Sequence, residues 1–336
     1  MQFNVFIGVD VSKETLDFAP TNTDGNPLFH QQVSNHKKGI GQFYKKLSRT
    51  VEASSGQWLI IMEHTGVYCN PLLEFAAEKG LAVWLESATK IKAYHALERG
   101  KNDALDARRI AEYAVAKKDK IRLWQAPRKV MVRLKFLIKL RERLITSKKR
   151  LLDPLREEQR FCDKQWAREH EKLLKPVIAK LEKQIKQVEH EIQQLIDDDH
   201  NLTHLYELIT SVSGVGQIVA INTLVVTNEF KQIADPKEMA CNCGVVPFKY
   251  DSGKTVRSKA KVSHRANKSM KVLFHLAAMA AISTDGELKN YYQRKVEEGK
   301  NKMTVINAVR NKIIHRIFAC VRDQRKYEKN YTHLLA

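Results

Sequence analysis

The 336-residue sequence is short of three things: cysteine, long apolar runs and acidic residues. Its five cysteines, Cys69, Cys162, Cys241, Cys243 and Cys320, make no even framework, and a chain of this length needs none to hold a core together. That argues against a disulfide-built secreted module and for a reducing compartment, the cytosol. Cys241-x-Cys243 lacks a second Cys/His pair at zinc-finger spacing, so two small buried thiols are expected there and a structural zinc is not. No apolar stretch is long enough to span a bilayer, and the N-terminal apolar run is interrupted by Asp10 and has no basic leader, so neither a membrane anchor nor a signal peptide is expected. Acids are the sharpest deficit: 38 Asp and Glu stand against 58 Lys and Arg, for a formal net charge of +20.

The deficit is uneven along the chain. Residues 1–120 carry 16 basic and 14 acidic side chains, residues 121–200 carry 20 and 13, and residues 201–336 carry 22 and 11. A near-neutral first third followed by a strongly basic remainder suits a polyanion partner, DNA or RNA, better than a small-molecule substrate. The length allows two or more cores, and the composition shifts suggest segments at 1–125, 126–200 and 201–336.

What the first third does contain is acids at the ends of apolar runs. Residues 3–10 (FNVFIGVD) and 58–63 (WLIIME) read as buried strands closing on Asp10 and Glu63, and an acid in that position is costly without a partner. Residues 15–19 and 28–33 read as two further strands of a meander, 37–53 and 71–79 as helices, 81–85 as a strand and 103–116 as a helix. The order βββαβαβα is that of a ribonuclease-H-like, RuvC-like fold, in which the first and fourth strands are neighbours, so Asp10 and Glu63 leave one sheet edge together. Asp103 and Asp106 lie three apart on one helical face and can point at the same place. Singly, these two read as ordinary helix-end and surface acids. Four converging carboxylates are hard oxygen ligands of the kind that select Mg²⁺ or Mn²⁺, and such ions serve phosphoryl transfer.

The basic remainder has its own focus at residues 249–271, KYDSGKTVRSKAKVSHRANKSMK, with eight Lys/Arg, one acid and four serines. Ser252 precedes Gly253, where the backbone can turn and expose the hydroxyl, and Lys254, Arg257, Lys259, Lys261, Arg265 and Lys268 are spaced to follow phosphates. By itself this is a solvated basic loop. Upstream, Leu174, Ile178, Leu181, Ile185, Val188, Ile192 and Leu195 form a heptad seam expected to make a coiled coil, within one chain or between copies. Residues 128–155 carry a second apolar stripe, broken or kinked at Asp153-Pro154, and nine basic residues with one acid between positions 129 and 150 make either a solvated or an RNA-tracking face. Ser213-Gly214-Val215-Gly216 has the form of a turn between two helices that lets backbone approach a phosphate. Residues 274–282 read as a core helix, and residues 303–320 as a helix packed on it with Arg310, Lys312 and Arg316 facing solvent or nucleic acid.

These motifs carry a resemblance. IGVDVSKETLD, IMEHTGVY and GKNDALDARRIAEYA, followed by SVSGVGQIVAINTL, CGVVPFKYDSGKTVRSKAKVSHRANKSMK and NYYQRKVEEGKNKMTVINAVRNKIIHRIF, are similar in order and spacing to the DEDD transposases of insertion sequences. That family includes the Piv-type DNA invertases and the bridge-RNA-guided recombinases. The resemblance runs nearly end to end, with two departures: Asn102 stands where the family usually has Thr, and Ala266 where it has Gly. It implies a mainly helical C-terminal transposase domain and a composite active site in which Asp10, Glu63, Asp103 and Asp106 hold Mg²⁺ and Ser252 becomes joined to cleaved DNA. It also implies a homo-oligomer, donor and target DNA, a structured guide RNA, and a place at the nucleoid. Base pairing would carry most of the sequence choice, leaving the protein to read backbone and shape. Two other classes fit the residues alone: a metal-dependent, junction-resolvase-like nuclease that needs the acids and no serine, and a non-catalytic nucleic-acid-binding protein. A sugar-kinase or actin-like ATPase is disfavoured, because no second phosphate-binding strand or adenosine loop follows the G-x-D strand.

Overall fold

A computed structural model describes residues 2–96, 100, 102–252, 256–262 and 266–328. They form two compact units, Met1–Ala126 and Pro127–Ala336. The chain is a mixed α/β protein with helix predominating, and none of its described helices is long and apolar enough to cross a membrane.

The first unit is built as β1 (Val5–Val11), β2 (Thr15–Asn22), β3 (Gln31–Ser34), α1 (Lys37–Thr50), β4 (Trp58–Glu63), α2 (Asn70–Lys79), β5 (Ala82–Glu86), α3 (Ala88–Tyr94) and α4 (Asp103–Ala116). The sheet order is β3-β2-β1-β4-β5, with β1, β2 and β3 antiparallel and β1, β4 and β5 parallel. Both faces are covered, which is why the central strands read as unbroken apolar runs. Val5, Ile7, Val9, Ile60 and Met62 pack towards α1 and α2, while Phe6, Leu59, Ile61 and Trp84 pack with Ile110, Tyr113 and Ala114 of α4. Gly80 closes α2 with a left-handed φ of 64°. Two features depart from the sequence reading. The third strand starts at Gln31, three residues later than expected, because Leu28 is spent on a turn contact, its N–H bonding Pro20 O, and is 41 % exposed. The short helix α3, whose Ile91 is buried, also escapes a periodicity reading because seven residues give too few repeats.

The second unit holds α5 (Lys129–Phe161), α6 (Lys164–Asp197), α7 (His200–Thr210), α8 (Gln217–Thr227), α9 (Pro236–Asn242), β6 (Phe248–Ser252), β7 (Val256–Lys261), α10 (Lys268–Ser283), α11 (Glu287–Glu297) and α12 (Lys302–Arg322). One core runs through it, from Leu134 and Leu137 of α5 and Ile192 and Ile196 of α6 to Phe274 of α10 and Ile313 and Ile317 of α12. Helices α5 and α6 are antiparallel partners within the chain, tied by Arg141–Glu189 at 2.7 Å, Lys148–Glu182 at 2.8 Å and His170–Glu158 at 2.9 Å. Pro154 does not break α5. It lies on an exposed face, and the helix runs on to Phe161 before Asp163 caps α6 by accepting from Gln165 N and Trp166 N.

Four further residue expectations change. Arg310 falls on the Ile306–Ile313–Ile317 stripe of α12 and is buried, its Nη2 2.6 Å from Nδ1 of His275, so it faces neither solvent nor nucleic acid. The 274–282 helix is core on one side only: Leu276 and Met279 are exposed, as is Val272 one turn before. Of the two cysteines at 241 and 243, only Cys243 is buried. Gly214, with φ 83°, backs directly onto α10, where a Cβ would lie 2.3 Å from Ala277 O, so its smallness serves helix packing, and Gly216 is the open position of that turn.

Candidate active site

Strand alternation places Phe6, Gly8 and Asp10 of β1 on the face covered by α4, and Leu59, Ile61 and Glu63 of β4 with them. Register then aligns the acids across the sheet. Asp10 pairs with Asp17 of β2, Asp17 with Gln32 of β3, Val9 with Met62 so that Asp10 comes beside Glu63, and Glu63 with Glu86 of β5. Four adjacent strands thus each contribute a carboxylate to one row.

Helix α4 closes over this row because β1 has no side chain at Gly8. A Cβ there would stand 2.1 Å from Ala107 O and 2.5 Å from Ala111 N. The helix backbone therefore seats on the strand two residues from Asp10, bringing its first turn, with Asp103 and Asp106, over the row. Asn102 caps the helix, its Oδ1 accepting from Leu105 N at 2.8 Å, so this departure from the family pattern keeps the cap that Thr would make.

The row is not uniform. At its outer positions the acids are satisfied: Asp17 accepts from His30 Nε2 at 2.8 Å and Gln32 Nε2 at 3.0 Å, while Glu86 accepts from Ser87 N at 2.7 Å and Tyr113 Oη at 3.2 Å, with Lys90 at 3.0 Å. The inner carboxylates of Asp10 and Glu63 have no hydrogen bond or ion pair among the described residues. Burial, then Asp103, Asp106, Asp17 and Glu63 in decreasing order, push the Asp10 carboxyl up to about 6. Burial also raises Glu63, opposed by Lys92 and helped by Asp106. Asp106 has a long contact of 3.4 Å to Arg109, and Asp103 is exposed.

The donor chemistry suits a hard divalent cation: carboxylate oxygens in excess, little compensating positive charge among the described residues, and an acid at the centre whose ionisation is held back by burial and then by its neighbours. Among the described residues, no three acid, imidazole or thiol groups stand close enough together to hold an ion as they are. Asp17 and Glu86 are the site residues that single-strand reading missed. Glu86 ends an apolar strand just as Glu63 does, which was a usable signal; Asp17 becomes visible only through cross-strand register.

In the second unit, Ser252 ends β6, paired with Val256 of β7, and Asp251 pairs with Arg257. The stretch expected as a loop is therefore a two-stranded antiparallel hairpin over its first half. Lys259 and Lys261 lie on β7, and Lys268 opens α10, exposed to solvent. Lys254 and Arg265 fall outside the described residues. The hairpin is rooted in the helical core, since Asn307 Nδ2 donates to Val245 O at 2.6 Å and Asn267 N to Asn242 O at 2.7 Å.

Two family models match the chain in succession. Residues 7–157 match the IS110-type DEDD model described as transposase, and residues 206–293 match the model for the transposase IS116/IS110/IS902 family. The chain belongs to the IS110 transposase family. Similarity to individual relatives is consistent with this. The "Pilin gene-inverting protein" of Moraxella bovis is 25% identical over 335 residues, covering 96% of this chain and 98% of that protein. Its counterpart from Moraxella lacunata is 25% identical over the same shares. The "Insertion element IS900 uncharacterized 42 kDa protein" of Mycobacterium paratuberculosis is 26% identical over 161 residues, 47% of this chain and 40% of that one. The first transposase model spans the whole acid row and α4, and the second spans Ser252.

Proposed function

We propose that this chain is a DNA transposase or recombinase of an insertion sequence that cuts and rejoins DNA through a covalent serine–DNA intermediate. Asp10, Glu63, Asp103 and Asp106 would hold Mg²⁺ or Mn²⁺, and Ser252 would be the nucleophile. The observation that carries the reading is the pair of inner carboxylates, Asp10 and Glu63, without a hydrogen bond or ion pair among the described residues, under an α4 that adds two more acids. A structural acid cluster would be neutralised from within, as Asp17 and Glu86 are. A bound divalent cation would supply charge stabilisation at the scissile phosphate and its leaving oxygen.

In the step proposed, the Ser252 hydroxyl loses its proton and its oxygen bonds to phosphorus. The bond from phosphorus to the strand's leaving oxygen breaks, and that oxygen takes up a proton. Attack by a strand-end hydroxyl on the seryl phosphodiester reverses the exchange and releases the serine. Lys254, Arg257, Lys259, Lys261, Arg265 and Lys268 would hold backbone phosphates of DNA or of a structured guide RNA. The strand order β3-β2-β1-β4-β5 supports a RuvC-like first domain over 1–125. The antiparallel pair α5 and α6 supports a coiled-coil segment within 126–200, followed by a transposase domain over 201–336. Exposed Phe161, Trp166, Leu173 and Val177 support pairing of that segment between copies in a homo-oligomer. Action in the cytoplasm at the nucleoid follows from DNA as substrate.

The test is Ser252→Ala against Ser258→Ala, Ser263→Ala and Ser269→Ala, with Mg²⁺, guide RNA and cognate DNA present. Ser252→Ala should keep nucleic-acid binding and lose the protein–DNA adduct on a denaturing gel, while the other three retain it. An adduct that survives Ser252→Ala and disappears with another serine refutes the assignment. A second reading, a plain metal-dependent nuclease, draws support from the confinement of all four acids to one unit. Under that reading Ser252→Ala cuts DNA as well as the wild type.

A further inference from the structure

The loop that leaves Glu63 carries features the acid chemistry does not use. His64 and Thr65 lead into a 3₁₀ turn, Gly66–Cys69, entered through Gly66 at φ 77°. Its base is fixed from within: Cys69 is buried, its Sγ donating to Glu63 O at 3.4 Å and lying 3.3 Å from Thr65 N. Its crest is apolar and aromatic. Val67 is 71 % exposed and Tyr68 42 % exposed. The Tyr68 ring has no aromatic or cationic neighbour among the described residues, whereas the similarly exposed Tyr94 of the same unit packs on His95, Tyr113 and Lys117.

What holds this crest near the acids is Asn35, at the end of β3. Its Nδ2 donates at 2.9 Å to Ser12 O, two residues past Asp10, and at 2.9 Å to Tyr68 O, five residues past Glu63. One amide therefore clips together the two loops that follow the two unpartnered carboxylates. Asn35 is 4 % exposed, and with both N–H bonds spent on the clip its Oδ1 is buried without a partner among the described residues. Leaving an acceptor unpaired is costly, and the fold sustains it where the clip is made.

We propose that Val67 and Tyr68 form a stacking shelf for one unpaired base of the DNA strand, set beside the acid row so that the adjacent phosphate comes to Asp10 and Glu63, with Asn35 as the positioning residue that fixes the shelf. Where a strand leaves its partner to pair with a guide or a second duplex, an exposed ring is the group that compensates a base for lost stacking. A shelf made by a ring and a branched side chain accepts any base. It sets distance to the scissile phosphate without reading sequence, in keeping with specificity carried by base pairing. The proposal rests on the reading that the acids act on a nucleic-acid strand.

The experiment uses the full chain and thymidine oligonucleotides carrying a single 2-aminopurine, whose fluorescence falls when it stacks, together with the same strands carrying 5-iododeoxyuridine for photocrosslinking. The wild-type protein should quench 2-aminopurine and crosslink through the peptide containing Tyr68. Tyr68→Phe should preserve the quench. Tyr68→Ala should abolish it and weaken single-strand binding about 5- to 100-fold, with an unchanged circular dichroism spectrum. Asn35→Ala should reduce the quench, and Asn35→Asp, which keeps the shape but loses the two donated bonds, should do the same. Unchanged quenching in Tyr68→Ala, a crosslink that maps elsewhere, or no quenching by the wild type overturns the shelf. Asp10→Asn separates the two levels: it should lose cleavage and keep the quench. If Asp10→Asn cleaves normally, the acid-site reading fails whatever Tyr68 does.

Discussion

Glu229 and Asp10 are both carboxylates drawn away from water, and their surroundings are opposites. The Glu229 side chain is 1 % exposed, on a turn where Asn228, Glu229 and Phe230 all have positive φ. It is met by the Arg128 guanidinium, by Asn201 Nδ2 at 2.7 Å and by Lys231 at 3.3 Å, and Arg128 also holds Asp199 at 2.6 Å. Burial alone would raise Glu229, yet these donors hold it below its ordinary range. Asp10 is raised by burial and by four acids, and meets no donor among the described residues. A carboxylate that serves the fold is neutralised by the fold. One left uncompensated within the row is where, on the function proposed above, a cation from outside would bind, and the two regions can be broken apart by substitution.

The largest effect should come from removing charge at the uncompensated site. Asp10→Asn should lower strand cleavage by about 100-fold or more, with folding and RNA binding retained, because the acids sit in the near-neutral third of the chain and the excess positive charge elsewhere. Cleavage assays beside a filter-binding titration would check it, and a variant that stays folded but loses RNA binding would contradict this separation.

At the compensated site the same kind of substitution should act on stability instead. Arg128→Ala leaves Glu229 buried with two donors and deprives Asp199, the N-cap of α7, of its guanidinium partner. Because Arg128 is 38 % exposed, the cost should be about 2–3 kcal/mol, below that of breaking a fully buried pair. Urea unfolding would measure it, and Glu229→Gln should recover part of the loss by removing the stranded charge.

Between these extremes stands Gly8, which has no charge but sets the distance of α4 from the row. Gly8→Ala should cost about 1–3 kcal/mol through overpacking against Ala107 and Ala111. Because the clash is with helix backbone, it should also weaken Mg²⁺ binding, measured by calorimetry. A stability loss with unchanged metal affinity would mean that α4 does not deliver Asp103 and Asp106 to the ion.

How much of this was legible in the sequence depends on how local the cause is. Asp10 and Glu63 announce themselves because each ends an apolar run, and α4 spans Asp103–Ala116 as the sequence reading has it. Asp17 has no local signal, since its place comes from pairing with Asp10 across a turn. The β6–β7 hairpin was missed because a stretch of KYDS and VRSKAK lacks the apolar alternation that marks a strand. Arg310 was misplaced because charge was weighed above its position on the buried stripe of α12, and the break allowed at Pro154 does not occur because that residue lies on the solvent face of a long packed helix.

The smallest expected effect is on pH dependence, and its sign distinguishes the two carboxylates. Asp10 is raised from 3.8 to about 6 in the folded chain, so the unfolded state gives up its proton first as pH rises. The folded state is therefore favoured by this group below about pH 4, and that advantage drains away as pH climbs through about 6. Asp10→Asn, neutral throughout, should match the wild type near pH 4 and exceed it at pH 7 without metal. Partial solvent screening of Asp10 limits the gain to about 1 kcal/mol. Glu229 has the opposite sign: its lowered pKa gives stability at neutral pH that is lost on acidification, so Glu229→Gln should be less stable than the wild type at pH 7 and approach it in acid. Saturating Mg²⁺ should reverse the Asp10 result, because a cation stabilises the ionised row and Asn removes a ligand. Thermal melts of both variants from pH 4 to 8, with and without Mg²⁺, test this directly. If Asp10→Asn is destabilising at pH 7 without metal, then Asp10 has a compensating partner in solution and the contrast with Glu229 does not hold.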